Sequence, residues 1–203
     1  MNESRQKHVI RNEKQLAALT SAARQELLDV LAEMGTVSVA EIATALERPA
    51  DALYFHIRLL KQVGLVRQVA YRFRNGRKEA LFRTVAPELW LDYEQRSQKN
   101  RRAINAIISS TLRLGIRDFR RAYQRGDLTV SGARRELWVL RKTARLSPAE
   151  IGIVNRSITR LKLAVSKPQG RGRLYGITVL LTPLDRRRRQ SKPKMKPRKA
   201  RKK

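Results

Sequence analysis

The side chains able to do chemistry in this chain are mostly cations. It has two histidines, His8 and His56, and no cysteine. A Cys/His metal centre cannot be assembled from that set, and disulfides are excluded. No nucleophile–base pair emerges along the chain. The "GRGR" run at 170–173 lacks the Gly-Lys-Ser/Thr ending and the helix start of a phosphate loop. No catalytic residue, metal site or cofactor is therefore expected. Two clusters remain. One is Asp51, Tyr54, Phe55, Arg58 and Lys61, within "PADALYFHIRLLKQVGLV" at 49–66; the other is Arg72, Arg74, Arg77 and Lys78. Aromatic rings pack on thymine methyl groups, a tyrosine hydroxyl can hydrogen-bond a base or phosphate, and Arg and Lys suit guanine edges or phosphates. That is the chemistry of nucleic-acid recognition.

Composition agrees. The 203 residues include 46 Lys plus Arg against 17 Asp plus Glu, a formal net charge of +29. An excess of this size points to a polyanionic partner, nucleic acid or an anionic membrane. No window approaches the roughly 20 apolar residues of a membrane span, and "MNESRQKHVI" has no signal-peptide core. A cytoplasmic, nucleoid-associated protein is the expectation. At 41% hydrophobic residues the chain can bury a core. The charge is uneven: residues 15–86 hold 10 basic and 7 acidic residues, whereas 186–203 hold 12 basic residues and no acid.

The elements that must position the two clusters carry local signals. Thr20 or Ser21 can cap a helix with Leu27, Leu28 and Leu31 on one face, ending at Met34-Gly35. Ser38 and Glu41 have capping-box spacing before a short helix with Ile42, Ala43 and Leu46. After "ERP", Pro49 is read as a first-turn residue of a third helix. There Leu53, Ile57 and Leu60 form the buried stripe and the first cluster is left outside. Gly64 stops this helix, with Leu65 folding back on its last turn. "VRQVAYRF" and "EALFRTV" read as strands joined by Asn75-Gly76, a type I′ turn. Val69, Tyr71 and Phe73 share one strand face, Gln68, Arg72 and Arg74 the other, and the second cluster rings the tip. This is the order of a winged helix-turn-helix.

"LTSAARQELLDVLAEMGTVSVAEIATALERPADALYFHIRLLKQVGLVRQ" resembles the DNA-binding domain of the ArsR-type bacterial transcription regulators, over about residues 15–86. The resemblance rests on the "ALYFHIRLLKQVGLV" piece, with its histidine, following aliphatic residue and closing Gly-Leu-Val. It implies a recognition helix with Tyr54 and Phe55 at base-facing positions and Arg58 one turn on. It also implies a structural role for His56 beside the buried stripe, and a dimeric protein.

Beyond Pro87 a mostly helical stretch is expected to Arg125. Leu89 and Tyr93 form an early stripe, and Ile104, Ile107, Ile108, Leu112, Ile116 and Phe119 a later one. "RELWVLRKTARL" reads as a strand, Ser147-Pro148 with Glu150 as a capped helix start, "KPQGRGR" as a loop and "LYGITVLLTP" as a strand. Trp90, Tyr93, Trp138 and Tyr175 could line a ligand pocket but read as core. The region is similar to the C-terminal extension of some regulators of this type, which bind effectors or build the dimer. An effector of unidentified chemistry thus joins double-stranded DNA and a second copy as a partner to test for.

The reading is an α+β chain: an N-terminal arm (1–14), a winged helix-turn-helix (15–86), a mostly helical C-terminal domain with a small β element (87–185), and a disordered basic tail (186–203). The expected function is sequence-specific DNA binding as a homodimer in transcription regulation. The alternative is a general nucleoid-associated or RNA-binding protein acting through its basic surface and tail.

Overall fold

The computed structural model describes residues 7–94, 97–166 and 172–184. The basic tail and most of the "KPQGRGR" loop lie outside the described residues. The chain is α+β, with the helix-turn-helix region first, small sheets around it and a helical C-terminal part.

Strand β1 (Lys7–Ile10) leads into α1 (Glu13–Leu19), where the Asn12 side chain caps by accepting from the Lys14 N–H. Neither has a counterpart among the elements expected from sequence. Helix α2 (Ala22–Met34) starts after Ser21 and buries Leu27, Leu28 and Leu31. It ends on Gly35 at φ 79° and ψ −116°, positive in φ but outside the left-handed helical region. β2 (Val37–Ser38) runs into α3 (Val39–Leu46) through a complete capping box: Ser38 Oγ accepts from the Glu41 N–H while Glu41 accepts from the Ser38 N–H. α4 (Ala50–Gln62) follows, with Pro49 at the N-cap rather than inside the first turn. β3 (Val66–Arg74) and β4 (Arg77–Thr84) form the hairpin, and β4 also pairs with β2, giving an antiparallel order β2-β4-β3.

The core unites these elements. Leu16, Leu27, Leu31, Ile42, Leu53, Leu60 and Leu65 are all essentially inaccessible, with Phe82 closing the sheet side. Residues 87–94 depart from the expected helix. Glu88–Leu91 is strand β5, parallel to β1 with Ile10 opposite Leu91, so Leu89 sits on a strand and Tyr93 beyond it. Helix α5 (Gln98–Arg125) then lays its first half on the winged unit, burying Ile104 and Ile107 against α1 and α2. Gln25 fastens that junction: its amide donates to Leu19 O (2.6 Å) and Ile107 O (3.2 Å) and accepts from the Thr111 hydroxyl (2.9 Å).

Past Gly126 the chain has one further helix, α6 (Pro148–Val165), again started by a complete capping box, Ser147 with Glu150. None of its residues is buried. The two expected strands do not form ladders: residues 137–146 and 174–183 have no sheet partner among the described residues. Nor are the four aromatics core. Tyr93, Trp138 and Tyr175 are exposed, and Trp90 lies on the surface between the ammonium groups of Lys7 (3.5 Å) and Lys162 (4.3 Å).

Candidate nucleic-acid interface

Helix α4 is held at both ends by backbone geometry. Before it, Glu47 takes the left-handed conformation (φ 52°), with Glu47 N–H bonding Thr44 O and Arg48 N–H bonding Ala43 O. This turns the chain sharply between α3 and α4 at the expense of putting a non-glycine residue at positive φ. After it, Gly64 (φ 75°) donates to Lys61 O and Leu65 donates to Leu60 O, the two bonds of a Schellman closure. Leu65 is thereby driven into the core. Arg48 itself ion-pairs with Glu26 (2.6 Å), which also takes Arg117 of α5 (2.6 Å). The helix-turn-helix turn, α2 and α5 thus share one carboxylate.

At 3.6 residues per turn, Asp51, Phe55, Arg58 and Gln62 fall opposite the Leu53–Ile57–Leu60 stripe, with Tyr54 and Lys61 flanking them. The structure agrees: Tyr54 is 52% and Phe55 63% exposed, against 1% for Leu53. Arg58 is exposed and makes no ion pair among the described residues. Lys61 reaches across to Gln68 of β3 (3.2 Å), tying the helix to the wing. Asp51 lies in the first turn, where a carboxylate complements the positive end of the helix dipole.

His56 is half-buried behind this face, edge-on to Phe55 at 5.6 Å. Burial lowers its pKa, assisted by Arg24 and Arg48, so the ring is neutral near pH 7. Its Nδ1 is buried without a hydrogen-bond partner among the described residues.

The wing turns at Asn75 (φ 51°) and Gly76 (φ 72°), both left-handed as a type I′ turn demands. Its four cations have different surroundings. Arg72 points inward and binds both Glu79 and Glu41 at 3.0 Å. Glu41 is held below the usual carboxylate range, first by the Ser38 N–H and then by Arg72. One side chain therefore caps α3 and anchors the wing. Arg74 is more exposed and only 3.9 Å from Glu41; Arg77 is exposed and outside any ion pair among the described residues; Lys78 rests over the Tyr71 ring at 4.1 Å. The apolar strand face faces solvent: Val69, Tyr71 and Phe73 are 41%, 58% and 75% exposed. A bulge between Gln68 and Ala70 sets that register. Arg67, in the wing strand read from sequence and exposed opposite Arg83 on β4, adds a cation that belongs to neither sequence cluster. Strand pairing shows that Arg83 stands beside it.

Among the described residues no group of three or more His, Cys, Asp or Glu could hold a metal ion, and no helix is long and apolar enough to cross a membrane.

Residues 19–69 match a helix-turn-helix domain family, spanning the end of α1 to the middle of β3. This identifies the α2–α4 unit as a helix-turn-helix, the domain of DNA-binding regulators. No curated protein matches the chain. Among solved structures, the crystal structure of RV1404 from Mycobacterium tuberculosis aligns with 77% of this chain and 86% of its own at 16% identity. The TM-score of 0.28 is too low to carry any argument.

Proposed function

We propose that this protein is a sequence-specific transcription regulator of the ArsR type that binds operator DNA as a homodimer. One observation carries the reading. α4 is fixed at both ends and projects Tyr54, Phe55, Arg58 and Lys61 away from its buried stripe, beside a cationic hairpin. In this reading α4 lies in the major groove with its exposed residues at base edges. Arg74, Arg77 and Lys78 meet phosphates, while Arg72 serves as the strut between wing and α3, and Asp51 as the helix-end charge. The DNA-binding unit includes β1, β5 and the first half of α5 with the 15–86 region, since Ile10, Ile104 and Ile107 belong to its core. The second half of α5, whose apolar residues include the exposed Ile116, is the dimer helix. The region beyond it is a C-terminal extension, and the place of work is the nucleoid.

The test is a titration of the full chain against selected genomic fragments, with excess unrelated duplex at physiological salt. A surviving specific complex supports the regulator. Loss of every complex favours a general nucleic-acid binder acting through its charge.

A further inference from the structure

The C-terminal region has the sequence of packed structure but almost no packing within its own chain. α6 is fully capped yet buries no residue, and most of the exposed large apolar side chains of the protein lie between Val130 and Leu184. Within 137–146, Trp138, Val139 and Leu140 are 66%, 79% and 79% exposed. Within 174–183, Ile177, Val179 and Leu181 are about half exposed, and the segment is rich in β-branched residues. Neither segment makes a backbone–backbone hydrogen bond to another described residue.

What does hold them is polar and confined to their beginnings. Glu136 accepts from Arg173 (2.9 Å) and from the Tyr175 hydroxyl (2.6 Å), and Arg173 also pairs with Asp127 (2.6 Å). Further along, Thr178 lies beside α5, its hydroxyl 3.5 Å from where a Cβ on Gly115 would stand. Ile177, Val179, Leu180 and Leu181 are all about half exposed, so the apolar side chains around Thr178 are left largely uncovered.

We infer that a second copy of this chain supplies the missing partner: segments 137–146 and 174–183 of the two copies pair as strands, and the apolar faces beside them, α6 included, close over one another. Three observations favour a copy over other occupants. Segment 174–183 contains no charged residue, so a polyanion finds nothing there to pair with, and in 137–146 the cations Arg141, Lys142 and Arg145 follow the apolar Trp138–Leu140 stretch. A bilayer interior does not accept extended backbone with open hydrogen-bonding groups. A second copy brings identical open edges, and a two-fold arrangement closes both sets at once. The area is of the right order: the exposed large apolar side chains from Val130 to Leu184, each offering on the order of 60 Å², present at most roughly 1,000 Å² per chain. A standard interface needs about 800 Å² per partner. The pairing also explains why strand-like sequence here meets no strand within the chain. The inference rests on the dimeric reading above and adds how the C-terminal region is completed.

The experiment is hydrogen exchange with sedimentation on the full chain at high and low concentration, repeated on Val179→Asp. The expected result is a dimer whose amides in 137–146 and 174–183 are protected, and lose protection on dilution in step with dissociation. Val179→Asp buries a charge at the seam and should weaken the dimer at least about tenfold, with the winged unit melting unchanged. A stable dimer with unprotected segments that tolerates Val179→Asp overturns the inference and leaves dimerisation through α5 standing. A chain that stays monomeric at micromolar concentration overturns both. Protection that ignores concentration shows pairing within one chain and overturns the inference alone.

Discussion

Leu53 and Tyr54 are neighbours in sequence with opposite surroundings, and truncating each to alanine separates folding from recognition. Leu53 is 1% exposed within the core formed by α2, α3 and α4. Burying a leucine contributes about 1.5–3 kcal/mol by transfer, and the cavity left behind raises the cost of Leu→Ala to about 2.7–5 kcal/mol. A winged unit of this size holds about 4–11 kcal/mol in all, so Leu53→Ala removes between a quarter and all of it. At about 4–8 °C per kcal/mol for a domain this small, melting should fall by more than about 10 °C. Tyr54 is 52% exposed. Its buried half, roughly 100 Å², sets an upper limit near 2.5 kcal/mol at about 25 cal/mol/Å². Compactness of the unfolded chain and the better helix propensity of alanine reduce this to about 1–2 kcal/mol. Its effect on DNA should run the other way: a loss of roughly 1–3 kcal/mol of preference for the specific site, with random duplex little affected. Paired titrations on specific and random duplex, with a melting curve for each variant, decide it. If Tyr54→Ala melts as early as Leu53→Ala while site preference is intact, Tyr54 is a core residue and the groove assignment fails.

Arg74→Ala and Arg77→Ala should weaken specific and random DNA alike and lower the salt slope by up to about 0.9 for each phosphate no longer neutralised. Arg72→Ala should instead loosen the wing from Glu41 and Glu79, read as faster amide exchange in β3 and β4. Removing residues 186–203 should weaken all DNA by a similar factor and leave discrimination unchanged, as salt-dependent titrations would show. Asp29 gives a pH signature. Asp29 is exposed as a residue yet its carboxyl is partly desolvated, and that desolvation, then the Glu26 and Asp118 carboxylates, raise its pKa from 3.8 to about 6. The fold favours the protonated form, so that stabilisation is complete below about pH 4 and lost as pH rises through about 6. Asp29→Asn should therefore raise the melting temperature at pH 7 and leave it unchanged at pH 4. The gain should be below about 1 kcal/mol, since the residue remains solvent-exposed and is screened.

The helix-turn-helix was legible because its signals act over three or four residues. Ser38 with Glu41 specifies a capping box, Gly64-Leu65 a Schellman closure and Asn75-Gly76 a type I′ turn, whatever the rest of the chain does. The 3.6-residue period of Leu53, Ile57 and Leu60 then determines which side chains α4 turns outward. Tertiary structure decided what depends on distant partners. β1 and β5 are four-residue strands separated by nearly the whole winged unit, so neither has a local signal strong enough to outweigh a helical reading of Leu89 and Tyr93. Arg72, Arg74, Arg77 and Lys78 look alike as letters. Only the approach of Glu41 and Glu79 gives Arg72 a structural task. Residues 137–146 and 174–183 show the limit from the other side: apolar and, in the second, β-branched residues suit a strand, but a ladder exists only where a second edge meets the first. Sequence specifies what a strand can pair with chemically; only the arrangement of chains in space supplies the partner.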